Sequence, residues 1–181
     1  MYLEIEVKIL DIDICDIRKK ILENNGVLVK KENQINKLFD FLDNRLLKNN
    51  GYARIRIIED MITGNDFYYM ATKIKLSKDD DAYKVMDEQE VVINSSEIGE
   101  NIFKVLGLSL KNEIKKYRES YKIDNVLIEI DINDKDFYPN PYIEIEGDNI
   151  SEIEEVVKNL GYRMEDTTSK SIFEIIRESK K

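Results

Sequence analysis

Charged and apolar residues alternate along many short stretches of this chain, with the two-residue period of a strand that has one polar and one buried face. In 3–9, Glu4, Glu6 and Lys8 share one face, and Leu3, Ile5, Val7 and Ile9 the other. The same sorting sets Arg54 and Arg56 against Ala53, Ile55 and Ile57, and Lys73 and Lys75 against Thr72, Ile74 and Leu76. Glu88 and Glu90 lead into Val91-Val92-Ile93. Glu129 and Asp131 alternate with Ile128, Ile130 and Ile132, and Glu144 and Glu146 with Ile143 and Ile145. Lys116 and Arg118 repeat the pattern more weakly around Tyr117. Polar turns at 63–66 and 122–125 predict two hairpins, 52–58 with 67–76 and 114–121 with 126–132.

A helical period follows three of these strands, each time ending before a glycine. From about Asp13, Ile14, Ile17 and Ile21 form one apolar face before Gly26. A second helix, capped by Ser95 or Ser96, carries Ile98, Ile102, Val105 and Leu106 as its apolar face before Gly107. A third has Ser151 and Glu154 at capping-box spacing, then Ile153, Val156, Val157 and Leu160 before Gly161. Residues 168–178 predict a closing helix. The run Asp79-Asp80-Asp81 predicts an exposed loop, because consecutive carboxylates converge poorly on one ion. Both prolines, Pro139 and Pro141, fall together, and no Gly/Ser-rich linker divides the sequence, so one domain over residues 1–181 is expected.

The charged faces are too uniform for ordinary solvated strands. Like charges at i and i+2 stand about 6.7 Å apart, which at an effective dielectric near 20 means about 2.5 kcal/mol of repulsion. Repeated on strand after strand, that cost calls for compensation, carboxylate pairs by divalent cations and Arg or Lys pairs by phosphates. One geometry meets both demands: an α+β fold in which about eight antiparallel strands close into a barrel. Its charged faces then line a lumen, and its Ile/Val faces lie outside under amphipathic helices.

Composition narrows the chemistry. The 181 residues contain no His, which removes imidazole-based acid/base catalysis and His-dependent triads. The formal charge of −9 disfavours a nucleic-acid surface, although Tyr117 and Tyr121 alternate with Lys116, Arg118 and Lys122. The lone Cys15, the acidic start and the lack of a membrane-length apolar run lead us to expect a cytoplasmic protein with no membrane partner.

Taken in order, several motifs resemble one family. Glu4-Ile5-Glu6-Val7-Lys8 is similar to the E-x-E-x-K signature of the CYTH superfamily, the triphosphate tunnel metalloenzymes, which includes class IV adenylate cyclases, thiamine triphosphatases and inorganic triphosphatases. Gln34 to Asp40, Ala53-Arg54-Ile55-Arg56, Thr72-Lys73, Glu88 and Glu90, Lys116 and Arg118, Asp131 and Tyr142 to Gly147 resemble the family's later elements. Asn36 stands where many members carry Asp, Thr72-Lys73 lacks the usual following Gly, and Ser171-Ile172 replaces a Ser-Tyr pair.

The resemblance implies an eight-stranded antiparallel tunnel that binds a triphosphate and uses Mg2+ or Mn2+. Glu4, Glu6, Glu144 and Glu146 are then the expected metal ligands, with Glu129 and Asp131 in support and Glu88 and Glu90 at a second metal or balancing the arginines. Lys8, Arg54, Arg56, Lys73, Lys116 and Arg118 are expected to hold the phosphates, with Lys75 and Lys170 as further candidates. Glu6 and Lys8 are the candidate catalytic residues. Lys8 acts as a base if neighbouring cations lower its pKa, or else pairs with Glu6 or a neighbouring carboxylate. Three functions remain open: hydrolysis of inorganic, nucleoside or thiamine triphosphate; cyclisation of ATP to cyclic AMP and pyrophosphate; and non-catalytic capture of polyphosphate or nucleotide. Cyclisation requires an adenine pocket, for which Tyr52, Phe67, Tyr69 and Tyr83 are the available aromatics. The sequence leaves the oligomeric state open.

Overall fold

The computed structural model describes residues 2–78 and 81–179, with side chains in the first strand from Ile5 onward. The strands are β1 (Tyr2–Ile9), β2 (Val27–Phe41), β3 (Gly51–Asp60), β4 (Asp66–Lys75), β5 (Lys84–Ile93), β6 (Leu108–Ile123), β7 (Val126–Asn133) and β8 (Tyr142–Gly147). They close into a barrel in the order β1-β5-β4-β3-β2-β6-β7-β8, every pair antiparallel. Closure removes both sheet edges and gives every strand a polar inner face. Helices α1 (Ile14–Glu23), α2 (Arg45–Lys48), α3 (Ser96–Val105), α4 (Ile150–Asn159) and α5 (Ile172–Ser179) flank it. No described helix is long and apolar enough to cross a membrane.

Two apolar cores lie outside the barrel wall, and a third sits at its end. Ile17 and Ile21 of α1 and Ile153, Val156, Val157 and Leu160 of α4 pack on Val7, Ile128, Ile130, Ile143 and Ile145. Gly26 lets the chain leave α1 close against Ile21, where any side chain would collide. A second core joins Phe39, Ala53 and Ile55 to Phe103 of α3. A third joins Ile172 of α5 to Tyr138 and Tyr142, and Phe137 and Phe173 meet edge to face at 5.2 Å. Since Lys75 of β4 also reaches Glu174, α5 runs from β4 across to the start of β8 at one end of the barrel.

Four expectations change. The strand β2 does not show in the alternation because both its faces are polar: Glu32, Gln34 and Asn36 are buried, while Lys31, Asn33 and Lys37 stand on the outer side. The cap of α4 is Asn149, whose side-chain oxygen accepts the Ser151 N–H at 2.9 Å, so Ser151 lies inside the helix. The closing helix begins at Ile172, and Thr168 instead forms a β-bridge with Lys8. The apolar face expected of α3 is exposed, and the helix packs through Gly99 and Phe103 instead. Of the Asp79-Asp80-Asp81 loop, Asp79 and Asp80 lie outside the described residues, and Asp81 is exposed.

Candidate functional site

The register turns the alternating charges into one lumen. Glu6 lies opposite Lys84 on one side and Glu146 on the other, and Lys8 lies opposite Glu144. Lys73 pairs with Glu88, Arg54 with Leu38, and Lys116 with Gln34 and Asn133. Arg118 pairs with Asp131 and Glu32, and Glu129 with Glu144. Directly opposed carboxylates, as in Glu6/Glu146 and Glu129/Glu144, destabilise a bare sheet and require a cation nearby.

The protein supplies those cations itself. Lys8 bridges Glu6 and Glu144, the latter at 3.1 Å, and Lys84 binds Glu6 at 2.9 Å. Arg118 donates to both Asp131 oxygens at 2.6 Å and to Glu144 at 2.8 Å, and also contacts Glu129. Lys116 joins Asp131 at 2.7 Å. Across the lumen Arg54 donates to Glu88 at 2.6 Å and Glu90 at 3.0 Å, and Lys73 reaches Glu88 at 2.6 Å. Positive and negative rows therefore interleave instead of facing one another as separate walls, and a bound anion must exchange some of these pairs.

Two buried arginine donors have no acceptor among the described residues, Arg54 Nε and Arg56 Nε, and Asn133 Nδ2 has only the Tyr142 hydroxyl oxygen beside it. All lie at inward positions, and all are N–H groups. A buried unsatisfied donor costs about 1–3 kcal/mol, so the lumen is short of acceptors. Arg56, in register with Asn36 on β2 and Tyr69 on β4, also has no carboxylate at ion-pair distance among the described residues.

Electrostatics assigns the roles further. Burial disfavours charge on Glu6, but Lys8 and Lys84 outweigh it and bring its pKa from 4.5 down to about 2. Burial likewise opposes the Lys8 ammonium, and Glu144 and Glu6 push its pKa above the usual lysine range. Of the two arrangements open to Lys8, the structure shows the one in which it pairs with Glu6 and the neighbouring Glu144, and this pairing pushes its pKa up, not down. The pKa of Lys116 falls instead, through burial and the adjacent Arg118. Asp131 and Glu144 are buried yet held below the carboxylate range, Asp131 by Arg118 and Lys116, Glu144 by Lys8 and Arg118. Burial raises Glu129 despite Arg118.

These directions fix a pH dependence. Glu6, Asp131 and Glu144 have folded pKa values below their unfolded ones, so each contributes stability that is present above its unfolded pKa and lost as pH falls through its folded one, which for Glu6 is about 2. Glu129 acts in the opposite sense. In metal-free buffer the urea midpoint is expected to hold from about pH 7 to 5 and to fall below about 4.5, with a shallower fall in Glu6→Gln. A midpoint that stays constant through that window contradicts the paired carboxylates.

Of the expected residues, Glu6, Lys8, Arg54, Arg56, Lys73, Lys116, Arg118, Glu88, Glu90, Glu129, Asp131, Glu144 and Glu146 take inward positions on the barrel strands. The Glu4 side chain lies outside the described residues. Lys75 engages Glu174 of α5 at 3.1 Å. Lys170 is not brought to the set: it pairs with Glu178 at 2.7 Å and is half exposed. Among the described residues no three acidic side chains converge as a ready metal cage. The donor chemistry nevertheless fits a hard divalent cation, since oxygen ligands alone are present and opposed carboxylates gain from one.

Sequence reasoning missed Lys84, Asn133, Glu32 and Gln34. Lys84 and Asn133 were within its reach, because they continue the inward alternations 84/86/88/90 and 129/131/133. Asp40, part of the family-like stretch, has a structural role: its carboxylate accepts the N–H groups of Leu46 and Leu47 at 3.0 and 2.9 Å, holding the start of α2.

The CYTH domain profile matches residues 2–172. The chain belongs to the CYTH family. The PH1012 protein from Pyrococcus horikoshii OT3 superposes with a TM-score of 0.76 at 27% identity, covering 94% of this chain and 98% of that one. A putative adenylate cyclase from Vibrio parahaemolyticus gives 0.74 at 13% identity, covering 97% and 98%. The putative adenylyl cyclase HpAC1 from Hippeastrum, described as having a dominant triphosphatase activity, gives 0.70 at 16% identity, covering 97% and 96%. No curated protein matches the sequence. These solved structures share the fold of the closed antiparallel barrel described above.

Proposed function

We propose that this CYTH protein is a divalent-metal-dependent phosphohydrolase that draws the triphosphate end of a small molecule into the barrel. The observation that carries the reading is the pair of orphaned arginine donors, Arg54 Nε and Arg56 Nε, in a lumen otherwise filled with ion pairs. Phosphate oxygens are acceptors only, and a triphosphate offers many of them along one line. Arg54, Arg56, Lys73, Lys116 and Arg118 hold the chain, with the arginines donating through their planar forks. Lys8 keeps Glu6 and Glu144 charged and in place. Glu6, Glu144 and Glu146 hold the metal, supported by Glu129 and Asp131. A divalent ion there supplies charge neutralisation at the phosphoryl oxygens.

The triphosphatase activity described for HpAC1 makes hydrolysis the first choice over cyclisation. Release of orthophosphate, cyclic AMP or neither from inorganic triphosphate, ATP and thiamine triphosphate, with Mg2+ and with Mn2+, tests it. Orthophosphate release is expected; cyclic AMP alone, or no product with any substrate, overturns it. Arg56→Ala is expected to raise KM about 10- to 100-fold, the loss of a charge-assisted hydrogen-bond pair, with little change in melting temperature, since it breaks no ion pair. An unchanged KM removes Arg56 from the site.

A further inference from the structure

Two lysines compete for Glu6. This carboxylate lies opposite Glu146 on one neighbouring strand and Lys84 on the other. The ammoniums of Lys8 and Lys84 both sit on the same oxygen, Oε1, Lys84 at 2.9 Å. Two like charges within hydrogen-bond reach of one atom repel each other, so the less firmly held of the two is the easier to release.

The less firmly held is Lys84. Lys8 also reaches Glu144 at 3.1 Å, its side chain is 2% exposed, and its backbone is bonded in both directions to Thr168, at 2.8 and 2.9 Å. Lys84 has Glu6 as its one ion-pair partner among the described residues. It is the first residue of β5, and its side chain is 13% exposed, which leaves the ammonium a route to water. The flexible four-carbon stem lets that ammonium swing away without any movement of the strand. A hard divalent ion binds carboxylate oxygens at about 2.0–2.6 Å and carries twice the charge of an ammonium. Lys84 and such an ion are therefore competitors for one carboxylate.

We propose that Lys84 is a positioning residue that holds Glu6 while the metal site is empty and gives it up when a divalent ion binds, and so sets the site's affinity for the ion. The exchange rests on the reading of Glu6 as a metal ligand. Lys84 is then a stand-in cation: it offsets the opposition of Glu6 and Glu146 in the empty barrel, and by doing so it weakens binding of the ion.

Calorimetric titration of MgCl2 into the metal-free full chain tests it, with Lys84→Met and Arg54→Met alongside. Both variants delete one lumen cation, but Arg54 pairs with Glu88 and Glu90, outside the proposed metal set. Lys84→Met is expected to bind Mg2+ about 3- to 30-fold more tightly than the wild type, through loss of the competing ion pair, while its ion-free melting temperature falls. Arg54→Met is expected to change the Mg2+ affinity by less than about 2-fold. Acetylation of Lys84 in the wild type, followed by mass spectrometry, needs no variant that must fold. It is expected to speed up at least about 3-fold when Mg2+ is added, because an amine that leaves its carboxylate loses its proton more readily. No Mg2+ binding to the wild type overturns the metal reading and the exchange with it. The exchange alone is overturned if the wild type binds Mg2+ and folded Lys84→Met binds it no more tightly, if Arg54→Met tightens binding equally, or if Mg2+ leaves acetylation of Lys84 unchanged or slower.

Discussion

Glu6→Gln is expected to lower metal-dependent turnover at least about 100-fold, because it deletes a full negative charge where oxygen ligands alone are available for a divalent ion. The amide keeps the shape of the side chain, so the loss reports charge and not packing. The cost is not confined to catalysis. Lys8 and Lys84 both depend on Glu6, and among the described residues Lys8 retains Glu144 as its carboxylate partner once Glu6 is neutral. The melting temperature should therefore fall as well, and the assay belongs at a temperature where the variant remains folded. Activity is expected to stay lost when Mg2+ or Mn2+ is raised. Full activity in folded Glu6→Gln would remove the metal assignment.

Arg118→Met is expected to destabilise the fold by about 3–5 kcal/mol, the range for removing one partner from a buried ion pair. Arg118 holds Asp131, Glu129 and Glu144 together, and its charge is favoured by all three despite burial. Methionine fills much of the volume but leaves those carboxylates, among the described residues, to Lys116, Lys8 and the more distant Lys84. Neutralising Glu129, whose own pKa burial already raises, in the background of Arg118→Met should recover part of the loss. Urea unfolding of the wild type, the single and the double variant measures both effects. A loss under about 1 kcal/mol for Arg118→Met would mean that solvent screens the cluster as it does a surface pair.

The barrel was legible because its outer face is so regularly Ile and Val that period-two sorting identified most of the strands. It was not legible in β2, where Lys31, Asn33 and Lys37 on the outside are as polar as Glu32, Gln34 and Asn36 within, and alternation carries no signal. The inward rows could be read for the same reason, but their pairings could not. Which acid meets which base depends on register, so Lys8 beside Glu6 and Glu144 was as open from sequence as Lys8 beside other cations. The α3 stripe shows the limit of the moment argument. Periodicity says that a face is to be buried, while Gly99 decides which face meets the barrel. The α4 cap was misplaced because Asn149, two residues before Ser151, accepts both the Ser151 N–H and the Ser151 hydroxyl, which draws Ser151 into the first turn.

The central claim is that the lumen is built to receive a linear chain of phosphate acceptors. Calorimetric titration of inorganic triphosphate into the chain, with an Arg54→Ala/Arg56→Ala variant alongside, tests it most directly. The account predicts one saturable site per chain in the wild type and loss of that site in the variant. No saturable binding to the wild type, or equal affinity in both, would contradict it.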